Sequence, residues 1–416
     1  MHEVFALQKA ETETGGGVMQ IIRLWWETIA GIFRTAPGEH LSMLRQDVTY
    51  GLRMIGKNPG YTALALLTLS LGIGANTAIF SVLHSVLLQP LPYRDGAQLM
   101  VLQQSAPKMN APDVPFSVPE LVDYRAENHS FSDLVEYHSM NFTLLGRGTA
   151  ERVNTGVVSA SFFSVFGVNP ILGRNFSPDD DKPGAPPVLL LSYEYWVRSQ
   201  HEDPDIVGKT FEMNDKVHTV IGVLPRVPQY PDENDVYMPT SACPFRSSPA
   251  MITGRNHHMM SAFARLKPGV SLEQAREDMS AIAARFQMEY PGYYPDNSGF
   301  TADATPLKER LTADARPTLI ILFLAAVFVL LIACANVANL TLARMARRER
   351  ELVVRAALGA GQSRVLRQLV TEALLIALPA ALLGLLIAGT SVRLLTQFAL
   401  RLSPRGREIH VDGWVL

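Results

Sequence analysis

The sequence predicts an α-helical, multi-pass membrane protein with one large α+β extracytoplasmic domain. Three observations predict it. Charged residues make up only 18% of the 416 residues, and mean hydropathy is +0.11; a soluble domain usually carries about a quarter charged residues. The missing charges are concentrated, because residues 58–93, 317–343 and 373–392 contain no Asp, Glu, Lys or Arg. Each gap reaches the roughly 20 residues that cross a bilayer as a helix. The segment 90–316 between the first two gaps is acidic, with 20 Lys/Arg against 28 Asp/Glu, whereas the rest of the chain has 17 against 11. A formal net charge of −2 excludes a chain that wraps nucleic acid as a whole.

Residues 1–57 read as a cytoplasmic amphipathic segment. Its first eighteen residues are polar and end near Gly15-Gly16-Gly17, so they are expected to be disordered. Residues 19–35 place Ile21, Ile22, Trp25, Trp26, Ile29, Ile32 and Phe33 at helical spacing. That pattern fits either a helix lying on the inner leaflet or an ordinary packed helix. The first gap, 58–89, is a membrane helix rather than a signal peptide, since its apolar stretch is too long and too far from the start.

Orientation follows from the basic flanks. Arg45, Arg53 and Lys57 precede the first helix, and Arg344, Arg347, Arg348, Arg350, Arg355, Arg364 and Arg367 follow the second. Both flanks are expected in the cytoplasm and 90–316 outside. Arg393, Arg401, Arg405 and Arg407 then lie outside, against the trend.

Within 90–316, PPVLLLS (186–192), HTVIGVL (218–224) and Val236–Met238 read as strands. Residues 271–290 read as a helix with Ser271 as N-cap and Gln274 as its capping-box partner. Residues 153–173 also lack charge, but Asn154, Thr155, Asn169, Pro170 and three glycines mark a soluble core segment, not a fourth span. Cys243 lies in the outer segment and Cys334 in the second span, so no disulfide is expected; Cys243 reads as a small buried apolar residue.

Templates for catalysis fail. Gly51–Asn58 approximates a phosphate loop but has Asn58 where magnesium needs a hydroxyl, and a basic helix precedes it. His257-His258-Met259-Met260 offers copper-type donors without a partner cluster, so a loop or strand edge is the expected setting. No G-x-S-x-G or H-E-x-x-H occurs. No catalytic, cofactor or metal residue is assigned.

Inside the spans, Ser70, Gly72, Gly74 and Ala75 fall together, and Ala380, Gly384 and Ala388 recur every fourth residue. Such stripes let helix backbones approach closely. Asn76, Asn336 and Asn339 need partners at membrane depth and are expected to face protein. Helix packing is the first reading of these residues, and a polar transport path is the alternative.

After the second span, residues 346–369 form two charged helical runs punctuated by Gly359 and Gly361, with Glu351 and Arg355 four apart in the favourable order. The stretch E-L-V-V-R-A-A-L-G-A-G-Q-S-R-V-L-R-Q-L-V-T-E-A resembles the cytoplasmic loop of MacB-like and FtsX-like ABC transporter permeases. Glu351, Arg355, Ala357, Leu358, Gly359, Ala360, Arg367 and Glu372 match that pattern; Val353 replaces a usual Gly and Ala356 a frequent Lys. Val158–Phe163, Phe166-Gly167-Val168, Leu172-Gly173-Arg174, Ile206–Lys209 and Val220–Pro225 resemble the MacB-type periplasmic core. Residues 44–54 and Leu91–Asp95 resemble the duplicated permeases of acidobacteria.

The resemblance implies a division into the segment 1–57, helix 58–89, a MacB-like core 90–316, helix 317–343, a cytoplasmic coupling hairpin 344–372, helix 373–395 and an outer loop 396–416. It implies inner-membrane location, a separate cytoplasmic ATPase that engages Glu351, Arg355, Leu358, Gly359, Ala360, Arg364 and Arg367, and a second permease unit. A periplasmic adaptor, for efflux, or a cell-wall hydrolase, for regulation, is a further implied partner. A membrane-anchored ligand sensor is the remaining alternative. The family topology has a fourth helix, so the chain is expected to be a partial or split permease.

Overall fold

The computed structural model describes residues 45–46, 48–53, 55–145, 150–213, 215–347 and 362–402. Two compact units emerge, a helical one up to Phe80 and over Leu322–Val392, and an α+β one over Ser81–Ile321.

The helical unit follows from the charge gaps. α1 spans Pro59–Leu83 and continues as a π-helical turn, His84–Leu88. The other two long helices, α8 (Ala315–Arg347) and α9 (Gln362–Leu402), close the described chain. Three stretches, Pro59–Leu88, Ala315–Ala343 and Val370–Val392, are long and apolar enough to cross a membrane. Only a helix satisfies every backbone group within one segment there. Residues 48–53 and 55–57 are helical, so Gly51 and Gly56 sit on a helix and not on a phosphate-type loop.

The α+β unit is built on one sheet of eleven strands. In chain order these are β1 (Leu99–Ala106), β2 (Ala111–Val114), β3 (Phe131–Leu145), β4 (Glu151–Val158), β5 (Leu172–Gly173), β6 (Val188–Leu191), β7 (Thr210–Met213), β8 (Lys216–Val223), β9 (Val236–Pro239), β10 (Ser261–Leu266) and β11 (Thr301–Pro306). Their order is β11-β1-β10-β3-β4-β9-β6-β8-β5, with β2 on β1 and β7 on β3 and β8. Pairing is antiparallel except for β4 with β9 and β6 with β8. The fifteen-residue β3 joins the two halves: Phe131–Tyr137 pair with β10, Tyr137–Leu144 with β4, and Leu144–Leu145 with β7.

Between the strands run α2 (Val118–Glu127), α3 (Phe162–Phe166), α4 (Tyr193–Gln200), α5 (Pro249–Thr253), α6 (Leu272–Glu289) and α7 (Leu307–Thr312). Two of them start with a reciprocal capping box. Ser117 and Glu120 cap the start of α2, and Ser271 with Gln274 caps α6, the second of these being the box the sequence predicts. α3 ends on Gly167 at φ +73°, where the left-handed conformation and the neighbouring Arg94 leave no room for a Cβ.

The continuous apolar runs are explained by burial on both faces of the sheet. Met100 and Leu102 of β1 pack under α2 and α6 with Tyr124, Met279 and Phe286, while Leu99 and Val101 face the opposite cluster around Phe162, Phe166 and Phe263. In β6, Val188 and Leu190 join that second cluster, whereas Leu189 and Leu191 meet Tyr195, Phe211 and Met238 in a third. Residues 153–173 form β4, α3 and β5, with Val157, Val158, Phe162, Phe163, Val165 and Phe166 buried, so this uncharged stretch is a core segment as expected.

Candidate functional site

The helical unit brings together most of the small and polar residues expected to pack. Ser70 is buried, and its Oγ donates to Leu67 O at 3.0 Å within α1. A Cβ on Gly72 would lie 3.0 Å from Leu330 Cδ1 and 3.6 Å from Ala333 Cβ, so α8 fits closely over that position. A Cβ on Gly74 would lie 2.9 Å from the carbonyl oxygen of Gly384, and one on Gly384 would lie 3.0 Å from Ser70 O. Backbone therefore meets backbone between α1 and α9, as small residues permit. Ala380 and Ala388, one turn either side of Gly384, are buried in the same row.

Asn76 supplies the polar link. Its Nδ2 donates to Gly72 O at 3.0 Å and across to Ala326 O on α8 at 2.7 Å. Tyr61 and Thr341 hydroxyls lie 2.9 Å apart near the start of α1, and Phe80 packs on Phe323 with ring centroids 5.9 Å apart. One face of α8, with Leu319, Ala326 and Ala333 buried, turns inward. Asn336 and Asn339 are exposed within the chain.

The expected coupling hairpin is only partly described. Glu351, Arg355, Leu358, Gly359 and Ala360 lie outside the described residues. Arg364 and Arg367 stand on the first two turns of α9, which begins at Gln362. α8 stays helical through Arg347, beyond its apolar span.

The α+β unit holds its charges by pairing. Glu136, on β3, is 2% exposed at its side chain and accepts from Arg246 Nη2 at 2.7 Å, Arg246 Nε at 3.2 Å and Arg125 Nη2 at 3.4 Å. Burial pushes its pKa up, but the two guanidinium groups outweigh burial and hold it below the ordinary carboxylate value. Asp180 accepts from Arg174 at 2.6 and 2.9 Å and from Ser177 N at 2.7 Å, capping the turn at Pro178–Asp181. Arg265 is buried across the sheet and donates to carbonyl oxygens of Val165 and Arg94, which fixes the Leu91–Asp95 motif against α3. Tyr93 of that motif stacks edge-on against Phe166 at 5.2 Å and donates to Pro228 O at 2.7 Å.

Sequence reading missed the Glu136 cluster because its partners lie 11 and 110 residues away. The one local signal is a Glu among the apolar residues of a strand, Leu134-Val135-Glu136-Tyr137. His257 and His258 fall in the loop before Met260, which makes a bridge to Phe116.

These elements match two family models. Residues 62–282 match the MacB-like periplasmic core domain, and 323–411 match the FtsX-like permease C-terminal domain. The chain belongs to the MacB/FtsX-like permeases. This permease is 22% identical over 352 residues to the "Macrolide export ATP-binding/permease protein MacB" of Campylobacter jejuni, covering 83% of the chain and 51% of that relative. It is 27% identical over 258 residues to the MacB protein of Chromobacterium violaceum, covering 61% of the chain and 38% of the relative. The permease thus spans about half the length, or less, of these curated relatives. Among solved structures it resembles the periplasmic region of MacB from Actinobacillus actinomycetemcomitans, with TM-score 0.38, 14% identity, and coverage of 53% of the chain and 94% of that region. A domain of a putative permease protein from Porphyromonas gingivalis gives TM-score 0.40 at 16% identity, covering 52% of this chain and 93% of that one. The family is the permease part of ABC transporters, with a periplasmic domain and apolar membrane helices.

Proposed function

We propose that the permease couples ATP hydrolysis on a separate cytoplasmic ATPase to a conformational change in its periplasmic domain, and so drives efflux or export. It sits in the inner membrane with its N-terminus in the cytoplasm. The ATPase engages the hairpin 344–372, where Glu351 and Arg355 stabilise the receiving helix and Leu358, Gly359, Ala360, Arg364 and Arg367 form the contact. Two permease units share one transporter.

The observation that carries this reading is the backbone contact between Gly74 on α1 and Gly384 on α9, close enough that neither position admits a Cβ freely. A push on the hairpin reaches α9 at its first turn. The Gly74–Gly384 contact and the Asn76–Ala326 bond then pass movement to α1 and α8, since packed interfaces shift between discrete arrangements instead of deforming continuously. α1 leads by unbroken backbone into the periplasmic domain, and α8 leaves it three residues after α7. ATP binding to the partner supplies the differential free energy that any such shift requires.

The test is to co-purify the tagged permease with its ATPase from native membranes, then compare ATP turnover for wild type, Arg355→Ala and Gly359→Pro. Both variants are expected to lose permease-dependent ATP turnover while still inserting in the membrane. Turnover that keeps its wild-type dependence on the permease in both variants contradicts the coupling role.

A further inference from the structure

His138 and Met140 stand two residues apart on β3 and so share one face of the strand. Cys243 follows the short turn Thr240–Ala242 and brings its sulfur to both of them, 3.9 Å from His138 Nε2 and 3.8 Å from Met140 Sδ. Cys243 is 0% exposed and His138 4%, while Met140 is partly buried. The imidazole is a buried polar group whose Nε2 faces only sulfur. Such a group is costly to bury unless something engages it.

We propose that His138, Met140 and Cys243 form a binding site for a soft monovalent cation, Cu(I) or its analogue Ag(I). One imidazole nitrogen, one thioether and one thiolate make a soft donor set. Taking the bond lengths of zinc sites as a guide for a first-row ion, about 2.3 Å to sulfur and about 2.0 Å to nitrogen, a 120° arrangement puts N and S about 3.7 Å apart and the two sulfurs about 4.0 Å apart. The two separations that meet at Cys243 Sγ, 3.9 Å to His138 Nε2 and 3.8 Å to Met140 Sδ, lie within about 0.2 Å of these values.

Other metal classes fit less well. Calcium and magnesium require oxygen ligands. Zinc favours four ligands, and among the described residues no group of three or more His, Cys, Asp or Glu could hold a metal ion.

Burial pushes the Cys243 thiol up, opposed in part by the backbone N–H of Arg246, which donates to Sγ at 3.5 Å, so the thiol keeps its proton until the cation displaces it. On binding, the thiol S–H bond breaks, its proton leaves to solvent, and the sulfur bonds the cation. His138 and Met140 each donate a lone pair. No electron is transferred, and the cation–thiolate pair is neutral, so no net charge is buried. Met140 is the least buried of the three.

The test uses the purified full chain in detergent without oxygen, with Cu(I) presented as its bicinchoninate complex. Wild type is expected to withdraw one equivalent of Cu(I), and Cys243→Ala none. Met140→Leu conserves volume and is expected to bind about tenfold more weakly or worse, since even outer-shell changes cost metal sites about 10–100-fold. Cys334→Ala and the His257→Ala/His258→Ala double variant are expected to bind as wild type. X-ray absorption of the loaded protein should show one nitrogen and two sulfurs. Wild type leaving all Cu(I) with the chelator, Cys243→Ala keeping the equivalent, Met140→Leu binding as tightly as wild type, or loss of binding in the His257/His258 variant overturns the site.

Discussion

Gly74 and Gly384 meet so closely that a Cβ on the first would lie 2.9 Å from the carbonyl oxygen of the second. Neighbouring Ile387 and Ile73 crowd the same contact from either side. The α1–α9 pair is therefore held by shape, which is what helices in lipid have available in place of a hydrophobic driving force between them.

Gly74→Ala is expected to cost about 1–3 kcal/mol, the usual penalty for overpacking, read as reversible unfolding in mixed micelles. Gly56→Ala is the control, because nothing lies within 4 Å of a Cβ there. Equal stability for the two variants contradicts the close contact.

Asn76→Leu removes the 2.7 Å bond to Ala326 O and is expected to cost about 0.6–2 kcal/mol in the same assay. Asn336→Leu and Asn339→Leu, both exposed on α8, are expected to leave the stability of the isolated chain unchanged. A loss for either of these that matches Asn76→Leu shows that the inward face of α8 has been misplaced.

The spans were legible because the bilayer imposes a rule that sequence alone expresses, namely twenty uncharged residues with flanks of uneven charge. The Ser271–Gln274 box was legible because its partners are three residues apart. β3 was not, because Glu136, His138, Ser139 and Asn141 interrupt any alternation, and the strand pairs in turn with β10, β4 and β7. The stripe around Gly384 marked a packing face, but not that Gly74, three hundred residues earlier, is its partner. Asn336 and Asn339 show the limit from the other side, since polarity at membrane depth signals a need for a partner without saying which helix meets it.

Arg246→Ala leaves Glu136 buried with only Arg125 near it, and is expected to cost about 3–5 kcal/mol in thermal or denaturant unfolding of the full chain. Replacing both charges together, as Glu136→Leu with Arg246→Met, is expected to recover most of that loss. If the double variant is as unstable as Arg246→Ala, the loss does not come from an unpaired buried charge.

Acid is expected to weaken the domain through Asp180. The Arg174 hydrogen bonds, chiefly, hold its pKa down at about 2, below the unfolded value of about 3.9. A depressed carboxylate contributes stability above the unfolded value, and that contribution drains away as pH falls through the folded one. The stability difference between wild type and Asp180→Asn should therefore stay constant above about pH 5 and shrink between about pH 4 and pH 2. A difference independent of pH across that window assigns the effect of Asp180 to something other than its charge.

The central claim is that the membrane separates the acidic domain from the arginine-rich hairpin. Membrane-impermeant maleimide labelling of intact cells and of permeabilised membranes tests it most directly, with Lys216→Cys in the domain and Ala357→Cys in the hairpin, each in the Cys334→Ala background. Lys216 is exposed in the structure. The account predicts that Lys216→Cys is labelled once the periplasm alone is accessible, and Ala357→Cys only after the inner membrane is breached. Labelling of both positions from the same side contradicts it.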